Sequence, residues 1–285
     1  WPGVAGEAVF LIEGGGRLDP AIGGEIGEEA LEAVHRQAVV DAASRLLALG
    51  GVGALGFGHD ALRQVPVNEH LQIDLDALTS AITKDRANGL CPICVVGVVG
   101  TTNTAAIDDL NGIADICRKE GLWFHVDGAF GAWAAIAPES KNLVAGMEKA
   151  DSLAFDLHKW MYLSYPIGCV LIRDADEHRQ AFSLSPTYLA HGKGERGLTG
   201  VDVPWLSDYG YELSRGCHAL KAWMTLKEQG VEKYGRLIQQ NIDQADYLGR
   251  IVEQSPELEL ALPVSLNVVC FRYTRPDLND AALDE

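Results

Sequence analysis

Positive charge is scarce in this 285-residue chain. Its 23 Lys and Arg stand against 40 Asp and Glu, a net charge of −17. So acidic a surface repels phosphate backbones and anionic headgroups, which argues against nucleic acid or a membrane as the partner. Long apolar runs are lacking as well. The run at 93–100 is far below the ~18 residues of a membrane helix, and no basic stretch followed by an apolar one opens the chain as an export signal would. Cysteine is sparse, with six residues that fall into no regular pairs. That excludes a disulfide scaffold and leads us to expect reduced thiols in a cytoplasmic protein. Cys91 and Cys94 have CxxC spacing but no second pair or His set nearby, so they read as two small buried residues and no metal is expected. No G-x-G-x-x-G opens a helix after a strand, and no glycine loop ends in Lys-Ser or Lys-Thr, so neither nucleotide fingerprint is present.

What remains is an ordinary globular mixture, 47% hydrophobic and 22% charged, long enough for about two domains and a real core. The chain starts at Trp1 rather than Met and ends in what looks like the opening of a helix at 279–285, which reads as a piece of a longer protein.

Periodicity gives the organisation. Residues 8–12 suit a strand, 14–24 are glycine-rich, 28–49 read as a helix, and 50–58 are loop-like. From residue 61 the rhythm becomes regular. A helix at 75–87 is introduced by Asp74, and another spans 110–120. Short apolar strands are expected at 93–99, 122–126, 152–155 and 169–172. Strands of this kind separated by helical stretches predict an α/β fold around a parallel sheet. Long helices follow at 214–229 and 231–255, then a strand at 268–273. We place a large domain over 1–215 and the start of a smaller one over 216–285.

Parallel sheets bind ligands at the carboxyl ends of their strands, and three strand ends here carry unusual residues. Gly100-Thr101-Thr102-Asn103-Thr104 follows the first, with Asp108 just beyond. His125-Val126-Asp127-Gly128-Ala129 spans the end of the second. Asp156-Leu157-His158-Lys159-Trp160 follows the third. A carboxylate followed by small residues lets a flat ligand lie against the backbone. A lysine some thirty residues later, partly buried, can serve as a nucleophilic amine that forms a Schiff base. Asp127 and Lys159 together match what pyridoxal phosphate requires: an amine for its aldehyde, and a carboxylate for its protonated ring nitrogen.

The stretches VVGTTNTAAIDDL (98–110), GLWFHVDGAFGAW (121–133), ADSLAFDLHKWMYL (150–163), SPTYLAHG (185–192) and DYGYELSRGCHALKAW (208–223) occur in order and with comparable spacing in a known family. The chain resembles the pyridoxal-phosphate-dependent amino-acid decarboxylases of the aromatic-amino-acid and glutamate decarboxylase type. The resemblance implies an aminotransferase-like fold of type I. Its large domain holds a mostly parallel sheet, and part of a small C-terminal α+β domain follows. It further implies a carboxy-lyase acting on an L-amino acid, an aromatic one by our reading, and a homodimer. Lys159 resembles the Schiff-base lysine, Asp127 the partner of the ring nitrogen and Ala129 the small residue beneath the ring. Thr102 and Asp108 match polar positions lining the cofactor. His158 matches the histidine before the lysine, and His35 the one that stacks on the ring. Tyr188 matches a mobile-loop tyrosine implicated in protonating the substrate carbon; glycines at 192, 194, 197 and 200 follow it. Asp156 departs from the pattern, standing where relatives often place an Asn near the phosphate. The alternatives are another lyase or a decarboxylation-dependent oxidase on this fold, or a non-catalytic remnant.

Overall fold

The computed structural model describes residues 10–13 by their backbone, and 61–182, 206–210, 212 and 214–274 in full. The helix expected at 28–49, with His35, and the segment bearing Tyr188 lie outside the described residues.

Among the described residues six strands form the main sheet: β1 (Phe10–Glu13), β2 (Leu62–Gln64), β3 (Pro92–Val98), β4 (Trp123–Asp127), β5 (Ser152–Asp156) and β6 (Gly168–Ile172). Their order is β2-β1-β3-β4-β5-β6. The centre is parallel, β3 with β4 and β4 with β5. The flanks are not: β1 runs antiparallel to both β2 and β3, and β6 antiparallel to β5. The expectation of parallel strands holds at the centre and fails at β6, because the chain between β5 and β6 forms turns rather than a helix. Without a helical crossover the strand returns in the opposite sense.

Helix α1 (Leu75–Ala87) starts where Asp74 caps it, its Oδ1 accepting from the amides of Asp76 at 2.9 Å and Ala77 at 3.0 Å. Helix α2 (Leu110–Glu120) is capped by Asp109, which accepts from Gly112 N at 3.0 Å, and stops at Gly121 in the left-handed region, φ +65°. Both starts use a carboxylate to satisfy first-turn amides and oppose the helix dipole. β3 and β4 join through α2. β4 and β5 join through short 3₁₀ turns at Gly131–Ile136, Lys141–Val144 and Met147–Lys149. A further helix, α3 (Ala175–Phe182), follows β6.

Helix α2 lies close on the sheet because Gly97 has no side chain. A Cβ there would meet Ile113 Cδ1 and Leu110 Cδ2 at 3.1 Å and Phe124 at 3.2 Å. Phe124, Ile113, Leu110, Leu78 and Val95 form the centre of the core, each contributing roughly 1.5–3 kcal/mol by leaving water.

Helix α4 (His218–Gln229) buries none of its residues. Helix α5 (Val231–Gln254) joins the main core through Ile238 and Ile242. Gly235 brings it against the 131–136 turn, since a Cβ there would lie 2.3 Å from Ile136 O. The last described strands, β7 (Leu258–Leu260) and β8 (Phe271–Tyr273), form an antiparallel pair. β7 carries no apolar run long enough to announce it in the sequence.

Candidate active site

The register brings the chemistry together. Val98 stands beside Asp127, and Asp127 beside Ala154, so β3, β4 and β5 end at one edge of the sheet. Their continuations are sewn to one another. Val99 N donates to Asp127 O at 2.8 Å, Gly128 N to Ala154 O at 2.9 Å, and Asp156 N to Ala129 O at 3.0 Å. Asp127 Oδ1 accepts from Ala129 N at 3.0 Å, which turns the chain sharply and holds the carboxylate at the strand end. The turn demands glycines. A Cβ at 128 would sit 2.6 Å from Ala132 Cβ, and one at 131 only 2.5 Å from Val99 O.

Beyond β5, residues 157–163 form a loop closed by Leu157 N to Ile167 O at 2.9 Å and Leu163 N to Leu157 O at 3.2 Å. His158 anchors it. Its Nδ1 lies 2.8 Å from Ile167 O and 3.1 Å from Ile167 N, and its ring meets Tyr165 edge-on at 4.7 Å. Lys159 projects from this loop with its side chain 41% exposed, and its Nζ lies 2.9 Å from Asp156 Oδ2. The Asp156 side chain is only 4% exposed, and His158 Nε2 approaches the same oxygen at 3.7 Å. Trp133 Nε1 fixes the Asp156 carbonyl at 2.9 Å. Phe130 and Trp160 stack at 4.4 Å, tilted by 11°, and so clamp the Asp127 turn to the lysine loop.

Sheet geometry decides which side the amine occupies. Registered neighbours in a parallel pair share a face, and so do residues two apart on one strand. Asp127, Ala154 and Asp156 therefore point to one face, and the amine paired with Asp156 lies on the face that Asp127 uses.

The structure places the other candidates differently. Thr102 is exposed. The threonines that shape its turn are Thr101 and Thr104, whose hydroxyls lie 2.8 Å apart, with Thr101 Oγ1 accepting from Ala106 N at 3.0 Å. Asp108 accepts from Ile73 N at 2.7 Å and Val98 N at 2.8 Å, so both its oxygens tie the end of β3 to the loop before α1. Burial raises its pKa to about 6 against the opposing effect of those two amides. It also borders a cavity of about 410 Å³ with Gln72, Thr104 and Ser265, whose lining includes neither Asp127 nor Lys159. His125, one rung below Asp127, is fully buried. Its Nδ1 lies 2.7 Å from Ser152 Oγ, which accepts from Trp123 Nε1 at 2.7 Å. Burial lowers its pKa to about 3, so it is neutral.

The donor set fits pyridoxal phosphate where it matters most. A solvent-accessible amine and a strand-end carboxylate share a face, and the small residues Gly128 and Ala129 follow that carboxylate. The partner of that amine, Asp156, was legible in the sequence only as a departure from a pattern, because nothing in spacing tells which way a carboxylate turns. The Phe130–Trp160 stack carried no sequence signal at all.

Comparisons agree with this geometry. Residues 38–274 match the family model described as the pyridoxal-dependent decarboxylase conserved domain. An aromatic-L-amino-acid decarboxylase of Bacillus atrophaeus is 36% identical over 224 residues, covering 79% of this chain and 46% of that protein. A histidine decarboxylase of Rattus norvegicus is 31% identical over 225 residues, covering 79% and 33%. The crystal structure of mouse CSAD superposes with a TM-score of 0.73 at 25% identity, covering 86% of this chain and 56% of that one. The chain thus spans less than half the length of these two sequence relatives. With the family model matching more than four-fifths of its residues, the chain belongs to the pyridoxal-dependent decarboxylase family.

Proposed function

We propose that the protein removes the carboxyl group of an L-amino acid, an aromatic one, with pyridoxal phosphate held covalently by Lys159. The observation that carries this reading is the Lys159 amine on the sheet face that Asp127 occupies. When bound, the cofactor supplies an electron sink for the pair released as carbon dioxide leaves.

The chain's own residues do the rest. Asp127 holds a proton on the ring nitrogen, since a carboxylate at hydrogen-bonding distance favours the cationic form of its partner. Ala129 leaves room for a flat ring. Asp156, enclosed and 2.9 Å from Lys159 Nζ, holds the lysine side chain in place beside the strand ends. His158 is fixed by Ile167. His35 and Tyr188 are assigned by resemblance alone, to stacking and to protonating the substrate carbon; Thr102 and Asp108 rest on the same resemblance, as polar positions lining the cofactor.

The aromatic choice rests on several aromatic-L-amino-acid decarboxylases at 31–36% identity. We further infer a cytoplasmic homodimer. The exposed Leu220, Trp223 and Met224 of α4 support self-association. Among the described residues no helix is long and apolar enough to cross a membrane.

Replacing Lys159 with Ala abolishes the visible absorption band that pyridoxal phosphate acquires on attachment, and abolishes amine production measured by chromatography. An unchanged band in that variant overturns the assignment. An aldehyde product in the unaltered protein points instead to oxidase chemistry.

A further inference from the structure

Helix α5 reaches the lysine loop through one residue. Asn241 Oδ1 accepts from Trp160 Nε1 at 3.0 Å and from Tyr162 OH at 2.5 Å. These donors lie one and three residues after Lys159 and about eighty before Asn241. Tyr162 sits at φ +57°, a left-handed conformation disfavoured by any residue with a Cβ, and its amide donates to Lys159 O at 3.1 Å. The loop therefore turns sharply just past the lysine at a strained position, and Asn241 holds both aromatic side chains that flank the turn. Asn241 is not what seats the helix. Gln239 Oε1 accepts from Glu139 N and Ser140 Oγ, each at 3.1 Å, Gly235 packs on Ile136 O, and Ile238 and Ile242 are buried in the main core.

We propose that Asn241 is a positioning residue for Lys159, acting through Trp160 and Tyr162. Fixing Trp160 on Phe130 and closing the turn at Tyr162 sets where the lysine side chain leaves the loop and hence where its amine meets the aldehyde carbon. This inference rests on the assignment of Lys159 as the cofactor-bearing amine. Small displacements of a reacting group have large effects on rate, ~10²-fold for about 1 Å.

The test follows growth of the visible band after pyridoxal phosphate is added to the full chain, at fixed cofactor concentration. Asn241→Leu, which removes the acceptor, is expected to slow attachment about 10-fold or more. Asn241→Asp, which keeps oxygens for both donors, is expected to stay within about 2-fold of the unaltered protein on the same argument. Val252→Ala, which thins the buried face of α5 outside the clusters that hold the loop residues, is expected to lower the thermal midpoint while leaving attachment unchanged. Equal rates for Asn241→Leu and the unaltered protein overturn the proposal. So does Asn241→Asp being as slow as Asn241→Leu, or slowing in Val252→Ala that matches its loss of stability. An unaltered protein that never develops the band overturns the cofactor reading itself, and this one with it.

Discussion

At position 159 a half-exposed ammonium meets an almost fully enclosed carboxylate. The two partners contribute unequally. Lys159 can return to water at little cost, whereas Asp156 without that cation is left, among the described residues, with His158 Nε2 at 3.7 Å. Lys159→Ala is therefore expected to destabilise the protein by about 1 kcal/mol, discounted from the penalty for a fully buried pair because the lysine is exposed. Adding Asp156→Asn should recover most of that loss. Urea midpoints of the two single variants and the double variant check it, and additive losses would show that the ion pair is not the cause. The residue types at 127 and 159 were readable because few sequences place a carboxylate and a lysine at successive strand ends. The pairing of Asp156 with Lys159 was not, since two oxygens within four residues of an amine face several directions until the loop is folded.

Asp108 shows the same gap from the other side. Resemblance marks it as polar and near the site, but its oxygens hold the amides of Ile73 and Val98. Folding raises its pKa from 3.8 to about 6, so the folded state binds the proton more tightly across that window. Its contribution is then present below about pH 4 and lost as pH rises to about 6. The stability advantage of the unaltered protein over Asp108→Asn should shrink between those values, measured by urea unfolding at several pH values. A constant difference would contradict the raised pKa.

Between elements, the tightest constraint is backbone on backbone. Gly131 N donates to Val99 O at 3.1 Å, and a Cβ at 131 would stand 2.5 Å from that oxygen and 2.9 Å from Leu266 Cδ1. Gly131→Ala has no flexible neighbour on the carbonyl side to move, so a loss of about 1–3 kcal/mol is expected, seen as a lower thermal midpoint. Elements with strong local signals matched the sequence reading. α1 begins after Asp74, α2 after Asp109, and the Val-rich β3 is covered on both faces. The sense of β6 did not match, because direction depends on what the connection does in space, and residues 157–167 carry turn and helix formers alike.

Across the whole molecule, α5 lies in the C-terminal part yet shares a core with the central strands. Ile238 is fully buried and belongs to the cluster that contains Phe124 and Val126. Ile238→Ala should cost about 2–5 kcal/mol, and far-ultraviolet circular dichroism and tryptophan fluorescence should fall together in one transition. Separate transitions would mean that the chain before and after about residue 216 unfolds as two units.

The sequence by itself determined which residue types stand at the strand ends, the helix starts and the family, because these rest on residue type and short spacing, which survive without coordinates. Tertiary structure alone decided that the amine shares a face with Asp127, that Asp156 pairs with it, and that Asn241 reaches the lysine loop from α5. Each of these joins residues through register or packing, and neither distance in space nor side-chain direction is encoded locally.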